Sequence, residues 1–132
     1  MNILGIGTDI VNIKRMEKTI KKYGLVFKNR IFSKKEINYC ETKKNPSAFY
    51  AKRFAAKEAF VKAIGEGFRN NINFNDIDIS NDNKGKPSIN ISNNIKKFLK
   101  KKLKLNKYKI FISLSDEKKH SIAYVIINKK ND

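Results

Sequence analysis

Apolar and polar positions change their spacing several times along this chain, and each change marks an expected element. Residues 3–10 form a short apolar run interrupted by Gly5 and Gly7, which predicts a strand whose backbone is approached closely by another segment. Asp9 closes that strand. Over residues 12–22, Ile13, Met16 and Ile20 recur at helical spacing and leave Lys14, Arg15, Lys18, Lys21 and Lys22 on the remaining surface, a basic amphipathic helix. The S-x-x-E of Ser33 to Glu36 is a capping box, in which each end side chain satisfies an orphan backbone N–H, and it opens a short helix over 33–43. A longer helix covers 46–65, opened by Pro46 in the first turn and closed by Gly65, which can take the left-handed cap conformation.

Beyond it, residues 74–80 alternate as F-N-D-I-D-I-S, residues 82–85 supply turn chemistry and 87–91 form a second short strand, together a hairpin. Ile95, Phe98, Leu99 and Leu103 fall at helical spacing within 93–105. Two further strands, 108–115 and 121–128, flank a polar turn at 116–120. With no repeat and no Pro/Gly/Ser linker, and with 132 residues of which 40% are apolar, the pattern predicts one α+β domain over 1–132.

The formal net charge of +18 would attract RNA, an anionic membrane or an acidic protein. Of the 30 basic residues 26 are lysine, and the chain is equally heavy in isoleucine and asparagine, the bias of A+T-rich coding, so charge alone names no partner. Phe27, Phe32, Tyr39 and Tyr50 are scattered among lysines, as an RNA-binding module would need, but there is no RNP-like aromatic strand and no GXXG loop. No signal-like leader and no apolar run of spanning length are present, and the lone Cys40 cannot form an internal disulfide, so a soluble cytoplasmic protein is expected, with neither nucleic acid nor membrane as partner.

Residues 48–64, AFYAKRFAAKEAFVKAI, carry the most information. At about 100° per residue, Lys52, Arg53, Lys57, Glu58 and Lys62 spread around the whole helical wheel among Phe49, Phe54, Phe60, Val61 and several alanines. Such a helix has no solvated face and should be buried, where charges are costly unless paired, metal-bound or used on a charged ligand. Glu58 is its sole carboxylate, with Phe54 four residues before and Lys62 four after. Two readings stand at this point: a functional carboxylate, or one half of a helix-stabilising ion pair worth roughly 0.2–0.5 kcal/mol. Asp9 likewise reads either as a functional group or as a cap for the helix beginning near Asn12. Gly5-Ile6-Gly7 lacks the third glycine of a dinucleotide fingerprint and any Walker Lys-Ser/Thr, which excludes both nucleotide loops.

In combination, GIGTDI at 5–10, S-x-x-E at 33–36, RFAAKEAFVKAIGEG at 53–67, GKP at 85–87 and SLSDEKKHSIAYVII at 113–127 resemble the holo-acyl-carrier-protein synthases, in order and over essentially the whole chain. The resemblance implies the 4′-phosphopantetheinyl transferase fold, an antiparallel sheet packed against a long buried helix. It implies transfer of the 4′-phosphopantetheine arm of coenzyme A to a serine of apo acyl carrier protein, releasing 3′,5′-ADP, in fatty acid biosynthesis. Carried over by motif, Asp9 and Glu58 would ligate Mg²⁺, for which Mn²⁺ can substitute, and Lys62 would act with them as a catalytic cation or proton donor toward the departing 3′,5′-ADP. Arg53, Lys57, Lys62, Gly65, Lys86, Pro87 and Ser115 would bind coenzyme A, with Gly67 as well as Gly65 permitting close backbone approach. Lys14, Arg15, Lys18 and Lys22 would dock the acidic carrier protein. The resemblance further implies a homotrimer with Asp9 and the Glu58 helix on one protomer and part of the coenzyme pocket on its neighbour. Asp116 stands where many such proteins carry histidine, and His120 reads as an exposed hairpin residue without a role. For the general base three readings stay open: a metal-bound hydroxide, a water held by Glu58 or Asp9, or one of these carboxylates directly.

Overall fold

The computed structural model describes residues 2–65 and 72–130. In chain order they form β1 (Asn2–Asn12), α1 (Ile13–Ile31), α2 (Lys34–Glu41), α3 (Pro46–Ile64), a 3-10 turn (Phe74–Asp76), β2 (Ile77–Asn81), β3 (Pro87–Ile91), α4 (Asn93–Lys102), β4 (Tyr108–Asp116) and β5 (His120–Lys129). The α+β reading therefore holds. Three strands make one antiparallel sheet in the order β1-β5-β4, and β2 with β3 makes the expected hairpin.

The period of two decides which face of the three-stranded sheet is covered. Ala123, Val125 and Ile127 of β5 are fully buried against α3, whereas Ile122 and Tyr124, which alternate with them, stay exposed on the opposite face. Two apolar clusters meet along α3. One joins Ala55, Ala59, Phe60, Val61 and Ile64 to the sheet, to β2 and to α4; the other joins Ala48, Tyr50 and Ala51 to Ile13, Met16, Ile31 and Phe32 of the α1 side and Cys40 of α2. Core on both flanks explains why no polar stripe marks this helix.

Several boundaries move. β1 runs to Asn12 rather than ending at residue 10, so Asp9 lies within the strand, opposite Ala123. Asn12 caps α1, its side chain accepting from the Arg15 N–H at 2.9 Å, which leaves Asp9 free of that duty. α1 continues past residue 22 to Ile31 with a break at Gly24, whose φ of 58° interrupts the helical spacing; the apolar face resumes with Phe27 and Ile31. The start of the expected strand at 74 is instead a 3-10 turn, held by Asp76, whose carboxylate accepts from Asn73 N–H and from the Ser92 hydroxyl. No helix among the described residues is long and apolar enough to cross a membrane.

Candidate active site

The site begins with a contact between two backbones. A Cβ added to Gly7 would lie 1.8 Å from the carbonyl oxygen of Ala59, and one added to Gly5 would lie 1.8 Å from that of Ala63. Two glycines at i and i+2 thus face two alanines at i and i+4, and α3 lies directly on β1. Asp9 shares the inward face of β1 with both glycines. On α3, Glu58 and Lys62 each precede one of those alanines. The close packing therefore gathers all three ionic side chains.

Lys62 does not close an ion pair along its own helix. Its ammonium donates across to Asp9 Oδ1 at 3.1 Å and to the Thr8 carbonyl at 3.0 Å. Burial raises the Glu58 pKa above its ordinary value, the Asp9 charge raises it further, and Lys62 opposes both. Asp9 and Glu58 line one cleft of about 430 Å³, with Arg15, Met16 and Thr19 of α1 on its far side. A second cavity of about 560 Å³ shares Phe27, Phe54 and Glu58 with it and continues to Ile31 and Phe74.

Two half-buried carboxylates from different elements line one cleft, one raising the other's pKa, and a cation bound between them would relieve that repulsion. No group of three His, Cys, Asp or Glu side chains able to hold a metal occurs among the described residues. That donor set does not suit zinc, which takes three or four nitrogen, sulfur or oxygen ligands from protein. It suits Mg²⁺, which keeps several waters and takes one or two carboxylates plus substrate phosphates.

The other expected residues distribute themselves around α3. Arg53 is 2% exposed, lies over the Tyr39 ring at 4.1 Å and donates from Nη2 to Asn81 Oδ1 at 2.7 Å, while its buried Nε finds no partner. With Lys52, Gly85 and Pro87 it lines a cavity of about 120 Å³. Glu58 lies five positions after Arg53, about 140° around the helix, so this cavity and the carboxylate cleft face different sides of α3. Lys86 is exposed in a turn held by Asp82 Oδ1, which accepts from the Lys84 and Lys86 N–H groups. Gly65 is the exposed left-handed C-cap of α3, φ 77°. Ser115 is exposed near the end of β4, opposite Ile122, and does not line the Arg53 cavity. Gly67 lies outside the described residues.

Lys57 corrects its expectation. It has no exposed surface, and its three donors go to Glu36, Ile31 and Phe74, so it has neither a route nor a free hydrogen to offer coenzyme phosphates. Lys14, Arg15, Lys18 and Lys22 are all exposed on α1, and Arg15 alone of the four lines the cleft. Asp116 pairs with Lys52 at 3.6 Å and His120 with Glu117 at 3.1 Å. Phe32 and Tyr50 are buried with their rings 4.9 Å apart, which takes both away from any nucleotide-stacking surface.

Three participants escaped the sequence reading. The capping box of Ser33 and Glu36 is present, but Glu36 is also the buried partner of Lys57, a pairing over 21 residues that leaves no periodic trace. Phe27 reaches the cleft only because α1 resumes after Gly24. Phe74 stacks on Phe54 at 5.3 Å, and the Phe74-to-Asp76 turn that carries it looks like part of a strand in sequence.

The comparisons with known proteins agree with this geometry. A family model described as the 4′-phosphopantetheinyl transferase superfamily matches residues 5–125. The chain is 52% identical over 130 residues to the holo-acyl-carrier-protein synthase of Pelagibacter ubique, covering 98% of this chain and 100% of that protein. The crystal structure of holo-acyl-carrier-protein synthase from Neisseria meningitidis matches at a TM-score of 0.85 and 38% identity, over 96% of this chain and 99% of the other. That of the Bacillus anthracis synthase in complex with coenzyme A (3′,5′-ADP) matches at 0.80 and 32%, over 98% and 100%. Since the likeness runs end to end and includes the strand and the helix that bring Asp9 to Glu58, the chain belongs to the holo-acyl-carrier-protein synthases of the 4′-phosphopantetheinyl transferase superfamily.

Proposed function

We propose that this chain transfers the 4′-phosphopantetheine group of coenzyme A to a serine of apo acyl carrier protein, giving the holo carrier and 3′,5′-ADP, as a cytoplasmic enzyme of fatty acid biosynthesis. The observation that carries the reading is the meeting of Asp9 and Glu58 in one cleft with Lys62 on Asp9. The two carboxylates would hold Mg²⁺ or Mn²⁺, which would supply charge neutralisation for the coenzyme pyrophosphate. In the reaction the serine oxygen bonds to the β-phosphorus, and the bond from that phosphorus to the bridging oxygen of 3′,5′-ADP breaks. The serine proton leaves toward the Asp9–Glu58 pair. Lys62, already poised between the Thr8 carbonyl and Asp9, offers positive charge to the leaving phosphate as charge grows there.

Arg53, Lys86 and Pro87 receive the phosphates and adenine end of the coenzyme, with Gly65 and Ser115 at the edges of its path. A guanidinium with an unpartnered buried Nε supports this role for Arg53. Because the Arg53 cavity and the carboxylate cleft face different sides of α3, one coenzyme is served best by the cleft of one copy and the cavity of another. Ile6, Ile10, Phe111, Ile122 and Tyr124 lie exposed on the outer face of the three-stranded sheet, an apolar surface of the kind that marks association. We therefore assign a homotrimer built on that face, with α3 enclosed between its two apolar clusters. Lys14, Arg15, Lys18 and Lys22 steer the acidic carrier to the mouth of the cleft.

The test is incubation with coenzyme A, Mg²⁺ and an apo acyl carrier protein. A gain of one phosphopantetheine by the carrier, matched by 3′,5′-ADP release, is expected. Asp9→Asn and Glu58→Gln should each lower kcat/KM by at least about a hundredfold; retained activity in either removes the metal assignment from that residue.

A further inference from the structure

Lys57 has no surface, yet every donor of its ammonium is placed. It gives hydrogen bonds to Glu36 Oε1 at 2.7 Å, to the Ile31 carbonyl at 2.7 Å and to the Phe74 carbonyl at 3.2 Å. Glu36, equally buried, accepts in addition from Ser33 N–H at 2.8 Å and from Ile79 N–H at 3.1 Å. The end of α1, the cap of α2, the middle of α3, the 3-10 turn and β2 are thus tied at one ion pair. A buried ion pair is a poor source of net stability, since apolar groups of similar volume often do as well, and fixing a particular geometry is one use it can have.

The geometry in question borders the active site. Ile31 and Phe74, whose carbonyls Lys57 holds, line the 560 Å³ cavity that also contains Glu58 and Phe54. Phe74 packs on Phe54, and Lys57 directly precedes Glu58 in α3. A separate bond, Asn75 Nδ2 to the Asn29 carbonyl at 3.0 Å, also ties the turn to α1, so loss of the ion pair would shift the turn rather than release it.

We infer that Lys57 and Glu36 are positioning residues for the transferase: they hold the Ile31 and Phe74 walls against α3 at the spacing that keeps Glu58 turned toward Asp9. The inference rests on the reading of Asp9 and Glu58 as metal ligands, and it replaces the substrate contact first expected of Lys57.

Two kinds of variant test it. Lys57→Arg keeps the charge and donors but changes their reach; Glu36→Gln with Lys57→Met removes both charges together and leaves neither unpaired. Mn²⁺ binding is measured by titration with coenzyme A present and carrier protein absent, and coenzyme A binding separately, on samples whose fold is checked by circular dichroism. Folded variants should bind Mn²⁺ about ten- to a hundredfold more weakly than the parent, with Lys57→Arg the milder, and should show a raised KM for coenzyme A. Parental Mn²⁺ affinity and KM, accompanied only by a lower melting temperature, would overturn the inference and leave the pair a purely structural one. If the double variant does not fold, Lys57→Arg and Glu36→Asp, which keep both charges, decide the question by the same comparison. A parent that binds Mn²⁺ no better than Asp9→Ala overturns the metal reading itself, and this inference with it; parental binding that Asp9→Ala abolishes and Lys57→Arg leaves untouched overturns this inference alone.

Discussion

Cys40 sits in the apolar cluster beneath α2 with no exposed surface, and burial pushes its thiol from 9.0 up to about 12. Arg53 and Lys52 oppose that shift, while the charges of Glu36 and Glu41 add to it. A thiol that holds its proton more tightly when folded contributes stability that is complete below the unfolded value of 9.0 and is lost as pH rises toward 12. Tyr50, raised by burial and by its bond to Glu41, acts in the same sense above its ordinary value; Lys57, lowered by burial, acts oppositely. Ellman's reagent at pH 8 should leave the folded thiol unmodified over a period in which urea-unfolded protein reacts fully, and Cys40→Ala should flatten the fall of the urea midpoint above pH 9. Reaction of the native thiol at the free-cysteine rate would contradict its burial. The residue scale also shows where sequence reading stops. Lys57 and Lys62 look alike in the motif, but one is sealed against Glu36 and the other crosses to Asp9. A helical wheel ranks directions around the axis, and it does not say what covers each one.

Between elements, the decisive contact is the seating of α3 on β1. The glycines at 5 and 7 announce close approach in the sequence itself, and the partner proves to be Ala59 and Ala63 of the helix that carries Glu58. Gly7 is needed here for space, since a methyl group there would meet backbone that cannot rotate away. Gly7→Ala should therefore cost about 1–3 kcal/mol or more in overpacking and separate Asp9 from Glu58, so that transferase activity falls further than the urea midpoint alone explains. A variant with parental stability and activity would show that the helix stands farther off. The element boundaries that went unread share one cause. Gly24 breaks the spacing of α1, and Asp76 turns the chain before β2, by local hydrogen bonding and backbone conformation rather than by hydrophobic period.

For the whole molecule, the outer face of the three-stranded sheet matters most, because Ile6, Ile10, Ile122 and Tyr124 stay exposed on a surface that a lone domain would be expected to keep polar. In the proposed trimer Ile122→Asp and Tyr124→Lys should each yield a smaller species by sedimentation velocity at unchanged far-UV circular dichroism, with activity lost because the cleft of one copy no longer meets the Arg53 cavity of the next. A parent that sediments as a monomer and is fully active would refute that assembly. The sequence by itself determined the α+β order, the capping box and the Gly-x-Gly approach, because periodicity, caps and close-packing glycines act over a few residues and leave a mark at fixed spacing; Asp9, Glu58 and Lys62 stood out only through their resemblance to a family motif. Only the tertiary structure decided that Lys62 hydrogen-bonds Asp9 rather than Glu58, that Lys57 belongs to Glu36, and that Arg53 opens onto a different side of α3 from the carboxylates. Those outcomes depend on which distant segment lies against each face of one helix, and no local spacing encodes that.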